Sequence, residues 1–157
     1  MLFPTHLLAA ALLGRPLGLS RAWLVVGAAL PDLVDKPLAM AGVFDLYHTV
    51  GHSAVVLGLF LSVALSGSAA RALAVGWLSH LCLDAFHVIV NGRPGDALFL
   101  AWPVQTPPDP LALAPMAFVV HYVGSTAFFV ELGLWVGVLA VAIRRWQRAD
   151  SVVETPR

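Results

Sequence analysis

Three residues that can bind a metal ion or transfer a proton lie within an apolar stretch in the middle of the chain. His80, Asp84 and His87 follow one another at intervals of four and three residues, between Arg71 and Val90. On an α-helix this spacing places all three side chains on one face. Ionisable side chains in so apolar a segment are costly to bury and indicate a functional site. The alternative is a polar helix face that neighbouring helices satisfy without a metal.

Further histidines and carboxylates lie in segments that are far from this helix along the chain. His48 and His52 are four residues apart at the expected start of a helix, and Asp32 and Asp35 follow Pro31. The candidate metal ligands are His6, Asp32, His52, His80 and Asp84. The candidates for completing the coordination sphere or acting as a general base are His48, His87 and Asp35.

Imidazole and carboxylate ligands without cysteine are typical of Zn²⁺ sites, with Mn²⁺ or Fe²⁺ as alternatives. The number of candidate ligands allows one or two ions. The sequence allows two roles for each of two residues. Asp35 is either a ligand or the surface partner of Lys36, and His87 is either a ligand or proton shuttle or an ordinary polar partner. Glu131 is interpreted as a hydrogen-bonding partner, and His121 as an interfacial residue.

The composition indicates an integral membrane protein. Of the 157 residues, 59% are hydrophobic and 11% are charged, whereas soluble domains have roughly 45–50% and about 25%. We expect one compact domain over residues 1–148 and a polar, disordered, cytoplasmic tail over residues 149–157. The formal net charge is zero, which excludes a basic surface for a nucleic-acid partner.

Hydrophobic runs and helix-breaking residues predict an all-α polytopic bundle of about five helices. Two short N-terminal helices span residues 1–14 and 21–30, and each is long enough to cross about half of a bilayer. Pro31 is expected to end the second helix and to open a loop over residues 31–49. The three longer helices are expected over residues 51–65, 69–90 and 115–143.

The arginines give an orientation and a depth for the candidate ligands. If Arg144, Arg145 and Arg148 are cytoplasmic, then Arg71 and Arg21 lie on the same side, as in a multi-pass protein of the inner (plasma) membrane with a cytoplasmic C-terminus. Counting about 1.5 Å per helical residue from that edge places the candidate ligands in one layer, about 14 to 21 Å deep. Accidental polar residues would not converge in this way, so a shared cation is favoured.

Several motifs occur in the order found in one bacterial family. They are Thr5-His6, the segment 27–35, the segment 48–53, the segment 79–84 and Trp102-Pro103. Over residues 5–103 the chain resembles the bacterial membrane-bound metal-dependent hydrolases. The resemblance implies a metal-dependent hydrolase of the inner membrane, distantly similar to zinc phospholipases C. The chain departs from the family pattern in an extra residue between Asp32 and Asp35, in Lys36 where the family often has His, and in a shortened His48–His52 segment that lacks the family's Arg and Thr.

Three functions are compatible with these residues. The first is metal-activated hydrolysis of a lipid or lipid-linked ester or phosphoester, with the lipid bilayer and a lipid-like substrate as partners. The second is a metal ion or proton transporter, which needs polar residues that continue towards the cytoplasm. Below His80, helices three to five have almost none apart from Ser62, and this favours the hydrolase. The third is a structural membrane protein that keeps the ligands only for stability. The sequence leaves the oligomeric state open.

Overall fold

The regular structure of the described part of the chain is entirely helical. The computed structural model describes residues 1–64, 67–108 and 110–153, and no strand occurs in these ranges. The elements are α1 (Phe3–Leu17), α2 (Arg21–Met40), α3 (Ala54–Ala64), α4 (Ser68–Val90), a 3₁₀-helix (Pro94–Ala101), α5 (Pro115–Tyr122) and α6 (Thr126–Val153). The all-α prediction is confirmed.

The centre of the fold is the packing of α2 against α4, where two glycines bring the backbones together. A Cβ added at Gly27 would lie 2.0 Å from the carbonyl oxygen of Leu73, and one added at Gly76 would lie 2.0 Å from that of Leu24. No side chain fits at either position, so the two helices touch backbone to backbone. This contact lies one helical turn before His80, and it sets the distance between α4 and the backbone of α2.

Two apolar clusters complete the packing around this pair of helices. The first joins α1 to α2 and α4 and consists of Ala10, Leu24, Ala28 and Ala72, all fully buried. The second joins α3 to α4 through Leu57, Ala74, Trp77 and Leu81. The small side chains of the first cluster bring α1 close to α4, and α1 carries His6.

The second helix is longer than predicted. It continues through Pro31 and Pro37 to Met40, so the expected helix end at Pro31 and the expected loop over residues 31–40 are wrong. A proline removes one backbone hydrogen bond from a helix. Here Pro31 is fully buried, and its backbone lies against Gly51, where an added Cβ would approach the Cα of Pro31 to 2.7 Å. The loop after α2 thus packs against the helix at Pro31, the position where the helix was expected to end.

The predicted helix over residues 115–143 is two helices. Gly124, between α5 and α6, has a φ of +87°, a left-handed conformation that glycine adopts without steric cost. Asn91 accepts a hydrogen bond from the backbone nitrogen of Ala127 at 2.9 Å and so tethers the start of α6 to the end of α4. Helix α6 continues into the predicted tail as far as Val153, and residues 154–157 lie outside the described residues.

Two of the described helical segments are long and apolar enough to cross a membrane, Ser68–Val90 and Thr126–Arg148. The predicted bundle of five membrane helices is therefore not confirmed. Most of α6 carries exposed large apolar side chains, among them Phe129, Val136 and Leu139. These features are consistent with a membrane location.

The glycine contact gives a test of the packing. Gly76→Ala should lower the free energy of unfolding by about 1–3 kcal/mol, because the new methyl group must push α2 and α4 apart. The control is Gly137→Ala in α6, where an added Cβ meets nothing within 4 Å. This control should leave stability unchanged or raise it by up to about 1 kcal/mol, since alanine favours helix. Unfolding in detergent, followed by circular dichroism, measures both variants. Equal effects of the two substitutions would contradict the close contact.

Candidate metal centre

His80 is oriented by the backbone of the neighbouring helix. Its Nδ1 donates a hydrogen bond to the carbonyl oxygen of Ala28 at 2.7 Å, next to the glycine contact between α2 and α4. Its Nε2 is left to face Asp84, whose Oδ2 lies 3.1 Å away. A histidine that ligates a metal ion usually has its other ring nitrogen held by a carbonyl or carboxylate in this way.

His52 is oriented by Asp35. The Asp35 carboxylate accepts hydrogen bonds from the backbone nitrogens of Thr49, Gly51 and His52 at 2.7, 2.8 and 3.1 Å. It also accepts one from Nδ1 of His52 at 2.8 Å. These bonds fold the loop before α3 onto α2 and turn the ring of His52 towards His80. The Nε2 atoms of the two rings are 3.2 Å apart. Asp35 therefore lies behind His52, where it holds the ring.

Four donor atoms come together at the centre of the site. They are Nε2 of His52, Nε2 of His80, Oδ1 of Asp32 and Oδ2 of Asp84. The two ring nitrogens are 3.2 Å apart, Asp32 lies 3.4 and 3.9 Å from them, and Asp84 lies 3.5 and 3.1 Å from them. Ligands at 2.0–2.1 Å from a tetrahedral ion are about 3.3 Å from one another. Apart from the 3.9 Å between Asp32 and His80, these distances are close to that spacing, and groups of three of these residues fit a bound metal.

Two more histidines flank this group of four donors. Nδ1 of His6 hydrogen-bonds to the carbonyl oxygen of Leu2 at 3.2 Å, and its Nε2 lies 3.0 Å from Oδ1 of Asp84. Nε2 of His48 lies 4.0 Å from Oδ2 of Asp84, and its side chain is partly exposed. His6 and His48 thus approach opposite oxygens of one carboxylate.

Three overlapping groups of buried or half-buried residues could therefore hold a metal ion. They are His6 with His80 and Asp84; Asp32 with His52 and His80; and His48 with His52 and Asp84. The five predicted metal ligands are brought together, as is His48 from the predicted catalytic set. A carboxylate that faces histidines on both oxygens is compatible with one ion or with two.

His87 and Glu131 lie outside these groups. The His87 ring contacts the rings of Tyr122 and Phe118, with centroids 5.1 and 5.6 Å away, and borders a cavity. Glu131 is buried and accepts hydrogen bonds from the Leu2 backbone and from the hydroxyls of Thr5 and Tyr122. Glu131 is thus a hydrogen-bonding partner, as interpreted from the sequence, and it anchors the segment that carries His6 to α6.

Of the two roles left open for Asp35, the surface pairing with Lys36 does not occur, because Lys36 pairs with Asp32. Because α2 continues past Pro31, Lys36 lies one helical turn beyond Asp32, and its Nζ is 2.7 Å from Oδ2 of Asp32. Asp35 is fully buried and turned towards the loop that holds His52. Asp32 and Lys36 are four residues apart, which predicts an ion pair on a helix. The pair was missed because the predicted helix ended at Pro31. The hydrogen bond from His80 to the carbonyl of Ala28 could not be predicted from the sequence, since any residue can supply a backbone oxygen.

The buried carboxylates make the site strongly attractive to positive charge. Burial alone would lower the pKa of His52, but hydrogen bonds to Asp32, Asp35 and Asp84 outweigh burial and raise that pKa to about 10. The protonated ring neutralises part of the carboxylate charge in the metal-free protein. A cation that binds the same nitrogen must displace this proton.

A cavity of about 760 Å³ opens beside the donor atoms. His48, Asp84 and His87 border it, as do apolar side chains of α5 and the segment before it, including Leu111 and Phe118. Pockets for small molecules typically have volumes of roughly 300–1,000 Å³. A molecule in this cavity would contact His6, Asp32 and Asp84 among the candidate metal ligands.

The chain matches none of the protein-family models, curated proteins or solved structures with which it was compared. The resemblance to membrane-bound metal-dependent hydrolases therefore stays a prediction from the motifs.

The contacts of Asp35 give a test of its orienting role. Asp35→Asn should weaken metal binding by roughly 10- to 100-fold, because the ring of His52 loses the carboxylate that fixes it. Competition with a chromophoric chelator measures the affinity for Zn²⁺. Asp45→Asn, the same change at an exposed position, is the control and should leave the affinity unchanged. An unaltered affinity in a folded Asp35→Asn protein would show that Asp35 does not orient a ligand.

Proposed function

We propose that the protein is a membrane-bound, metal-dependent hydrolase that acts on a lipid or a lipid-linked ester or phosphoester. The observation that carries the proposal is the close approach of the carboxylate oxygens of Asp32 and Asp84 to Nε2 of His52 and Nε2 of His80, at 3.1 to 3.9 Å. Both rings are held through Nδ1 so that Nε2 faces the carboxylates. This arrangement satisfies buried carboxylates and imidazoles together once a cation is bound.

The ligand types favour Zn²⁺, with Mn²⁺ or Fe²⁺ as alternatives. A divalent ion bound by these residues would supply Lewis-acid chemistry, activating water and polarising an ester or phosphoester oxygen. The residues of the chain orient the reactants around it. His48 is the candidate general base, because its partly exposed ring borders the cavity and lies 4.0 Å from Asp84. His87 borders the same cavity and is the candidate for giving a proton to the leaving group.

The membrane location supports a lipid-like substrate. The exposed apolar surface of α6 is suited to the interior of a bilayer, and the positions of Arg144, Arg145 and Arg148 suit a cytoplasmic C-terminus. The cavity is bordered both by candidate ligands and by apolar side chains, so a lipid could place its polar end at the metal and its chain against Leu111 and Phe118.

The contacts beneath the site favour a hydrolase over the alternative of a metal ion or proton transporter. A transporter needs a polar path that leaves the site on its far side. On the side of the site away from the cavity, the cluster of Ala10, Leu24, Ala28 and Ala72 is fully buried and apolar. Ions have no polar path through this cluster, whereas the cavity gives access from the other side.

Metal content and hydrolysis test the proposal together. Purified wild-type protein in detergent should contain a stoichiometric transition metal and should release product from a fluorogenic phospholipid or ester lipid. His80→Ala should lose both the metal and the activity, because it removes a central donor. His48→Ala should keep the metal and lose about 10²- to 10⁴-fold in kcat, the usual contribution of a general base.

Asp45→Ala serves as the control, since Asp45 is exposed and lies outside the site. A wild-type protein that neither contains nor accepts a transition metal would refute the proposal. Full activity in the metal-loaded His48→Ala protein would refute the role given to His48.

A further inference from the structure

We infer that Lys36 binds the phosphate of an amphiphilic phosphoester in the cavity, and that it makes the site selective for phosphoesters over neutral esters. The inference rests on the proposed function and narrows its substrate class. Lys36 is the single lysine of the chain. Its side chain is about one-third exposed and borders the cavity.

The position of Lys36 relative to the donor atoms is set by one carboxylate. Oδ2 of Asp32 contacts Nζ of Lys36 at 2.7 Å, and Oδ1 of the same group lies 3.4 Å from Nε2 of His52. The ammonium group is therefore separated from the donor atoms by only one carboxylate. A phosphate has several oxygens, so one can approach the donor set while another accepts a hydrogen bond from the ammonium.

The balance of charge explains why a cation other than the metal is needed. The two positive charges of a divalent ion are offset by the ligand carboxylates of Asp32 and Asp84, so the loaded centre offers an anion little net attraction. Arg93 also borders the cavity, but the carboxylate that it contacts at 2.7 Å belongs to Asp96, which is not a candidate ligand, whereas Lys36 contacts the candidate ligand Asp32. The N-terminal ammonium of Met1 lies 3.3 Å from Oδ1 of Asp84, so Lys36 is one of two cations placed next to the donor atoms. The charge of Lys36 would attract a phosphodiester beside Asp32.

The rest of the cavity suits an apolar chain. Leu111, Leu113, Phe118 and Val119 border it, and together they add alkyl and aromatic surface to its lining. An inorganic phosphate would use only the polar end of this cavity. An alkyl phosphate would use both ends, so the cavity favours an amphiphilic anion.

Binding of dodecyl phosphate to the full-length protein in nonionic micelles tests the inference by titration calorimetry. Lys36→Met should weaken this binding by at least about tenfold, whereas Lys36→Arg, which keeps the charge, should stay within about threefold of the wild type. Arg71→Met, which removes a positive charge at an exposed position away from the cavity, should bind like the wild type. Lys36→Met should bind Zn²⁺ at least as tightly as the wild type, because it removes a positive charge near the ligands.

Two further ligands identify what is recognised. Dodecanol should bind wild type and Lys36→Met equally, because it has no charge. Inorganic phosphate should bind the wild type at least about tenfold more weakly than dodecyl phosphate, since it lacks the chain. If inorganic phosphate binds as tightly as dodecyl phosphate, the site recognises free phosphate and the amphiphilic part of the inference is wrong.

The titrations are repeated on chelator-treated proteins, so that weaker binding of dodecyl phosphate by Lys36→Met cannot result from a change in metal content. Equal binding of dodecyl phosphate by wild type and Lys36→Met, with or without metal, would overturn the inference. If the wild type accepts no metal, the proposed function fails. The metal-free titrations still decide whether Lys36 binds the phosphate.

Discussion

The site depends on the direct contact between the backbones of α2 and α4. Gly27 and Gly76 leave no room for side chains at the crossing, so the carbonyl of Ala28 comes within hydrogen-bonding distance of the ring of His80. A wider separation of the helices would break this bond and would move Asp32, on α2, away from His80 and Asp84, on α4. The packing of small residues thus determines the distances between the candidate ligands.

A second constraint is the neutralisation of buried negative charge. Asp32, Asp35 and Asp84 are all buried, and Asp35 has other partners than Asp32 and Asp84 have. Asp35 is satisfied by the loop that carries His52, whereas Asp32 and Asp84 point their oxygens at the same two ring nitrogens. Buried carboxylates are stable only when they are paired or bound to a metal. Buried carboxylates without partners would destabilise an apolar core. In this protein they form a site that attracts a cation, beside an accessible cavity.

The sequence predicts part of this arrangement well. The spacing of His80 and Asp84 predicts a shared helix face, and the two residues do lie on one face of α4 and contact each other. The course of α2 was harder to predict, because Pro31 normally ends a helix and only its contact with the later loop makes its surroundings clear. The roles of Asp35 and Lys36 depended on that course, so they could not be assigned correctly without it. The break at Gly124 also had no clear signal, since glycines are common in apolar helices that stay continuous.

The most direct measurement is zinc K-edge X-ray absorption on protein loaded with one equivalent of Zn²⁺. The geometry predicts histidine nitrogens and carboxylate oxygens at about 2.0–2.2 Å from the zinc, with the scattering pattern of histidine rings. That pattern should weaken when His52 or His80 is replaced by alanine. A spectrum of zinc surrounded by water oxygens, without histidine scattering, would contradict a metal centre built from these residues.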